Sequence, residues 1–122
     1  MWGHYAEQLF QTLPLFFKGL GMTALVSGLG IVFGTILGSL WGIARASTKK
    51  WLSIPIGLWV DLIRGTPFLV QIFIVFFILP ELGLELEAFS AAILAMTNMA
   101  ACFICEIVAG GIMAVPRGQI EA

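Results

Sequence analysis

The chain has 122 residues, of which 60% are apolar and only 11% charged, and its net charge is −1. A soluble domain of this length needs a larger polar surface, because small folds have a high ratio of surface to volume. The near-zero charge excludes the basic surface by which nucleic-acid-binding proteins hold phosphate. The composition therefore predicts an all-α integral membrane protein.

Three uncharged stretches predict three membrane spans, at about residues 20–44, 53–80 and 88–109. As a helix, the shortest uncharged stretch, Gly65–Pro80, covers only about 24 Å of a hydrocarbon core about 30 Å thick. The second span must therefore begin before Gly65 and include charged residues.

Residues 1–18 are predicted to form an interfacial segment, with a short helix that ends near Pro14. Trp2 and Tyr5 suit the headgroup layer of a membrane, where aromatic side chains are enriched. His4 is the only histidine and has no cysteine near it in the sequence, which favours a solvated terminal residue over a metal ligand.

The first span carries glycine at every fourth position, namely Gly30, Gly34, Gly38 and Gly42. In an apolar helix this spacing forms a shallow groove that another helix backbone can approach closely. Glycine is common in membrane helices, but four in register favour helix packing. The pattern leaves open whether the partner helix belongs to this chain or to another.

The second span is predicted to be broken near Gly65 and Pro67, because proline removes a helical hydrogen bond and disfavours helix at the preceding Thr66. Asp61, Arg64 and Gln71 share one helix face, and polar groups at membrane depth are expected to face protein or a water-filled path. Arg64 and Gln71 are therefore expected to line such a path, and Gly65, Thr66 and Pro67, which form the break, are candidates for the same path or its gate. The alternative is that Asp61 and Arg64 form a pair at the membrane surface.

The third span places Asn98, Cys102 and Cys105 on one side of a helix, with Glu106 at its edge. Asn98 and Glu106 are further candidates for the path, and Arg64 is a candidate ion-pair partner of Glu106. The spacing Cys-x-x-Cys within a continuous helix gives poor disulfide geometry, and the chain lacks the further ligands that zinc requires. The two cysteines are therefore predicted to be packing residues.

The distribution of Lys and Arg predicts the orientation. The first connection, 45–50, has three positive charges, whereas the second, 81–87, has three carboxylates and no basic residue. Arg117 follows the third span. The first connection and the C-terminus are expected in the cytoplasm, and the N-terminus outside.

Three motifs resemble the permease subunits of ABC importers for polar amino acids, such as glutamine, histidine and glutamate/aspartate. They are Arg64-Gly-Thr-Pro-Phe-Leu-Val-Gln71, Glu106-Ile-Val-Ala-Gly-Gly-Ile112 and Val115-Pro-Arg-Gly-Gln-Ile-Glu-Ala122. The resemblance begins near Lys18.

The resemblance implies a type I importer fold in the bacterial inner membrane, with 19–122 a partial permease domain of three transmembrane helices. Residues 115–122 would begin the cytoplasmic loop that couples to the ATPase, with Gly118, Gln119, Glu121 and Ala122 matching its approach. The implied partners are ATPase subunits, a second permease subunit and an extracytoplasmic amino acid-binding protein. No catalytic residue, metal or cofactor is expected in this chain, because ATP and Mg²⁺ bind the ATPase.

Two departures accompany the resemblance. Family members often have arginine three residues after the carboxylate, where this chain has Ala109, so an ion pair made by that arginine is absent. The sequence also stops at the second residue of the coupling motif, which leads us to expect an N-terminal fragment. The alternatives are a non-transporting membrane anchor or assembly subunit, and a small proton-coupled multidrug exporter, which would need a carboxylate in the first span.

Overall fold

The computed structural model describes residues 1–116 and 118, and all regular structure within them is helical. The helices are α1, Trp2–Arg45; α2, Lys50–Arg64; α3, Phe68–Phe73; a π-helical segment, Ile74–Ile78; α4, Leu79–Glu81; and α5, Ala88–Ala114. The predicted all-α class is confirmed.

Two helices, α1 and α5, are long and apolar enough to cross a membrane. The region predicted as the second span is divided into α2 and the α3–α4 stretch, whose axes differ by 105°, so the predicted break near Gly65 and Pro67 is confirmed. Together they pass the same test of length and composition, so the described residues hold two spans, or three if the bent pair is one broken span.

Helix α1 is continuous over 44 residues and includes Pro14. The prediction that a separate helix ends near Pro14 is therefore wrong. Within an apolar setting an uninterrupted helix satisfies most backbone groups internally, and membrane helices tolerate the one hydrogen bond that proline removes. Residues 1–25 are all exposed, and the location of residues 1–18 at a membrane interface stays a prediction.

The largest contact in the fold joins α1 to α5. A Cβ built at Gly30 would lie 2.7 Å from the Cβ of Met96, and one built at Gly42 would lie 2.7 Å from the Cβ of Val108. Residue numbers therefore increase in the same direction along both helices, which makes them parallel. The connection 46–49 and the end of α5 consequently lie at one end of the molecule, which we call the connection end.

The core lies near the connection end, between α2 and α5. Its fully or largely buried members are Val60, Ile63, Cys102 and Cys105, with Trp41, Ile56 and Met99 packed around them. Helix α2 therefore covers one face of α5 close to the point where α1 ends.

Candidate functional site

One side chain, Gln71, forms hydrogen bonds to the backbone at the break between α2 and α3. Pro67 has no N–H to donate to the carbonyl of Ile63 four residues earlier. The Gln71 amide nitrogen donates to that carbonyl at 3.0 Å and to the carbonyl of Thr66 at 3.2 Å. Gln71 is 5% exposed. The residue predicted to line a path thus donates to two carbonyls at the break, and that of Ile63 also accepts from the Thr66 N–H at 3.1 Å.

The other residues of the break are held by local hydrogen bonds. The Thr66 hydroxyl donates to the carbonyl of Leu62 at 2.7 Å, and the Gly65 N–H donates to the carbonyl of Asp61 at 3.0 Å. Pro67 itself is extended, with ψ of 140°. These contacts end α2 before α3 begins in a new direction.

A cavity of about 390 Å³ opens between α1, the broken region and α5. Most of its walls are apolar or aromatic, including Trp41 and Trp59, and its polar side chains are Gln71, Thr97 and Asn98. The side-chain amide oxygen of Gln71, Oε1, and the Thr97 hydroxyl are buried without a hydrogen-bond partner among the described residues. The part of the cavity wall that the described residues form therefore carries buried polar atoms and no charged side chain.

Asn98, a predicted path residue, accepts a hydrogen bond from the indole N–H of Trp59 at 3.0 Å. This bond joins α2 to α5 at the edge of the cavity. Trp59, which sequence analysis did not select, fixes the amide of Asn98 in one orientation. An indole and an amide spaced thirty-nine residues apart gave no signal in the sequence.

Four charged side chains, Arg45, Asp61, Arg64 and Glu106, form a charge network at the connection end. Arg45 pairs with Asp61 at 3.3 Å and with one oxygen of Glu106. The other Glu106 oxygen pairs with Arg64 at 3.1 Å. The predicted pairing of Arg64 with Glu106 is observed, whereas Asp61 pairs with Arg45 and not with Arg64 on its own helix.

Sequence analysis did not identify Arg45 as a member of this network and took its positive charge only as an indication of membrane orientation. The sequence did contain one indication that Arg45 contacts α5. Arg45 lies three residues after Gly42, so it falls on the side of α1 that the glycines turn toward α5. The guanidinium of Arg64 also lies 5.6 Å from the ring centre of Phe103, which anchors it to α5.

Cys102 and Cys105 are both buried and unbonded to each other. They contact the core beneath α2. Within residues 1–116 and 118, no group of three or more His, Cys, Asp or Glu side chains could hold a metal ion.

The remaining candidates lie elsewhere. Gly30, Gly34, Gly38 and Gly42 are buried against α5. Gly118 is exposed, and Ala109 is buried. Three residues predicted for ATPase coupling, Gln119, Glu121 and Ala122, lie outside the described residues, as does Arg117.

Comparisons with known proteins agree on one family. Residues 30–122 match the model of the binding-protein-dependent transport system inner membrane component. The chain is 36% identical to the probable amino-acid ABC transporter permease protein YckA of Bacillus subtilis (strain 168), over 92% of this chain and 50% of that protein. It is 36% identical to the probable glutamine ABC transporter permease protein GlnP of the same organism, over 98% of this chain and 54% of that protein.

A solved structure has the same fold. The crystal structure of an amino acid ABC transporter with histidines aligns with 93% of this chain and 53% of its own chain, with a TM-score of 0.83 and 31% identity. The chain thus spans about half the length of the relatives that it matches. The family model covers well over half of this chain. The chain therefore belongs to the family of binding-protein-dependent transport system inner membrane components.

Proposed function

We propose that the chain forms part of the membrane subunit of an ATP-driven amino acid importer. The observation that carries this proposal is the likeness of nearly the whole chain to a solved amino acid ABC transporter. The relatives named as amino acid permeases support the same substrate class. The proposal names a class of substrate and not one amino acid.

The broken second helix is the part of the chain that we assign to the substrate path and its gate. Helices interrupted at membrane depth are tolerated where they line a cavity or are buried in protein, and such breaks lie at the binding sites of many transporters. Here the break adjoins a cavity with polar atoms in an apolar wall. The residues assigned to the path and gate are Arg64, Gly65, Thr66, Pro67, Gln71, Asn98 and Glu106.

We place the connection end in the cytoplasm and the N-terminus outside. Arg45 is neutralised by carboxylates, but Lys49 and Lys50 are exposed and remain available to bias the connection toward the cytoplasm. Because α1 and α5 are parallel, the segment from Val115 begins on that same side. Gly118, Gln119, Glu121 and Ala122 would then lead into the loop that an ATPase subunit contacts.

The partners in this proposal are two ATPase subunits, a second permease subunit and an extracytoplasmic amino acid-binding protein. ATP and Mg²⁺ bind to the ATPase, and this chain hydrolyses nothing. ATP can shift the path between inward-facing and outward-facing states only through different affinities for the two states.

The alternatives have less support. An assembly subunit would be expected to offer its glycine groove to another chain, whereas all four buried glycines of α1 face α5 of the same chain. A proton-coupled exporter would need a carboxylate within the first span, and the stretch between Lys18 and Arg45 has none.

The proposal is tested by Glu121→Lys in the permease assembled with its ATPase and binding protein. Reversing this charge should lower the substrate-stimulated rate of ATP hydrolysis severalfold and leave membrane insertion unchanged, because it alters the coupling segment and no span. The matched control is Glu85→Lys, in the acidic loop at the opposite end. Equal ATP hydrolysis by wild type and Glu121→Lys would contradict the coupling role, and a chain that recruits no ABC ATPase would contradict the importer.

A further inference from the structure

The charge network joins three helices pairwise. The pair of Arg45 with Asp61 links α1 to α2, and the pair of Arg45 with Glu106 links α1 to α5. The pair of Arg64 with Glu106 links α2 to α5. The charges alternate along the order Asp61, Arg45, Glu106, Arg64 and sum to zero. Each helix is therefore held to both of the others at the connection end.

Arg45 occupies the centre of this network. Its side chain is 21% exposed, the lowest value among the four members, whereas that of Asp61 is 62% exposed. Its guanidinium rests against the backbone of α2 at Gly57, where an added Cβ would lie 3.6 Å from its Nε. The backbone carbonyl of Arg45 accepts a hydrogen bond from the Ser53 hydroxyl at 2.8 Å. One residue of α1 thus contacts successive turns of α2.

Helix α2 is joined to its neighbours only by short segments. Residues 46–49 precede it, and Gly65, Thr66 and Pro67 follow it. Beneath it lie Cys102 and Cys105, both completely buried. Movement of α2 away from α5 would therefore expose these two thiols.

The network also permits a second arrangement. Glu106 is shared by two arginines, one on α1 and one on α2. If Arg45 separates from Glu106, Arg64 still neutralises the carboxylate, and Asp61 still neutralises Arg45. Neither arrangement leaves an unpaired charge at membrane depth, where an unpaired charge would be costly.

We propose that Arg45 is the positioning residue that seats α2 over α5, and that separation of Arg45 from Glu106 releases α2 to turn about its remaining pair with α5, that of Arg64 with Glu106. In the importer this release would open the connection end of the path during the transport cycle. The role of this release in transport rests on the proposed function, whereas the seating of α2 does not.

The reactivity of Cys105 toward a maleimide tests the seating directly. In a Cys102→Ala background Cys105 is the single thiol of the chain. Wild-type chain in membranes should react slowly. Arg45→Gln should react about tenfold faster, because the loss of a partly buried ion pair favours local opening. Lys49→Gln, which changes an exposed lysine in the same connection, should react like wild type.

A charge swap separates pairing from general loss of structure. The quadruple variant Arg45→Glu, Asp61→Arg, Arg64→Glu, Glu106→Arg reverses every charge and keeps all three pairs opposite in sign, so it should restore slow labelling, at least in part, while each single reversal labels fast. Equal labelling of Arg45→Gln and wild type would overturn the seating role. A swap that labels as fast as the single variants would overturn the role of the pair. Circular dichroism shows whether each variant retains its helix content.

The release is tested in the assembled importer by adding ATP. The labelling rate of Cys105 should change when ATP binds, and the change should be smaller in Arg45→Gln, whose α2 is already released. Transport with a constant labelling rate would overturn the release and leave the seating intact. Failure of the wild-type complex to transport would contradict the proposed function, while the labelling of the chain alone still reports on Arg45.

Discussion

At the scale of single residues, three side chains provide interactions that the main chain or the lipid does not provide. Gln71 adds a donor at the break, where Pro67 has none, and its amide reaches the carbonyl of Ile63 in the last turn of α2 and that of Thr66 within the break. Arg45 and Arg64 together neutralise Glu106, which lies two turns before the end of the apolar helix α5. In both cases a polar group within or beside an apolar helix has a specific partner in the chain.

The role of Gln71 predicts a coupling with Pro67. Gln71→Leu should destabilise the protein, because the carbonyl of Thr66 loses a buried donor, a loss that costs about 1–3 kcal/mol. In a Pro67→Ala background the backbone N–H at position 67 can donate to the carbonyl of Ile63, the other acceptor of the Gln71 amide, so the same substitution should cost less. Unfolding by denaturing detergent measures the four free energies of this cycle, with a coupling of about 0.5–3 kcal/mol expected. Gln11→Leu, on the exposed part of α1, serves as the control, and equal costs in both backgrounds would contradict the role.

At the scale of elements, the pairing of α1 with α5 depends on glycines that admit the α5 backbone. A Cβ at Gly38 would lie 2.6 Å from the carbonyl oxygen of Ala101, which is a backbone atom and cannot move as a side chain can. At Gly28, in the same helix, nothing lies within 4 Å of the added Cβ. An alanine at Gly38 therefore changes both helix propensity and the contact with α5, whereas an alanine at Gly28 changes helix propensity alone.

Gly38→Ala should destabilise the α1–α5 pair by about 1–3 kcal/mol, the usual cost of overpacking. Gly28→Ala should be neutral or stabilise by up to about 1 kcal/mol, since alanine favours helix. Unfolding of both variants in the same detergent series gives the comparison. Equal stability of the two variants would mean that the close approach at Gly38 is not required.

The sequence was informative about the elements and less so about their contacts. The spacing of Gly30 to Gly42 indicated a helix contact, but nothing local identified α5 as the partner. Pro67 indicated a break, yet the angle of 105° depends on how α2 packs against α5. The end near Pro14 was predicted wrongly because one missing hydrogen bond is a small loss in a helix of this length. Arg45 was read as a loop charge because its partners lie sixteen and sixty-one residues away.

At the scale of the whole molecule, the parallel direction of α1 and α5 fixes which segments share a side. The connection 46–49, the charge network and the segment from Val115 lie at one end, and the loop before Ala88 lies at the other. An importer driven from the cytoplasm requires the first group to face the ATPase. The proposed function, the coupling role of Glu121 and the release of α2 all depend on that orientation.

Cysteine labelling of intact cells measures the orientation most directly. In a chain with Cys102→Ala and Cys105→Ala, single cysteines are introduced as Thr48→Cys in the connection and Leu84→Cys in the acidic loop, two exposed positions. With a membrane-impermeant maleimide, Leu84→Cys should label in intact cells, and Thr48→Cys should label only after the membrane is permeabilised. Labelling of Thr48→Cys in intact cells, with Leu84→Cys protected, would place the connection end outside and contradict the importer account.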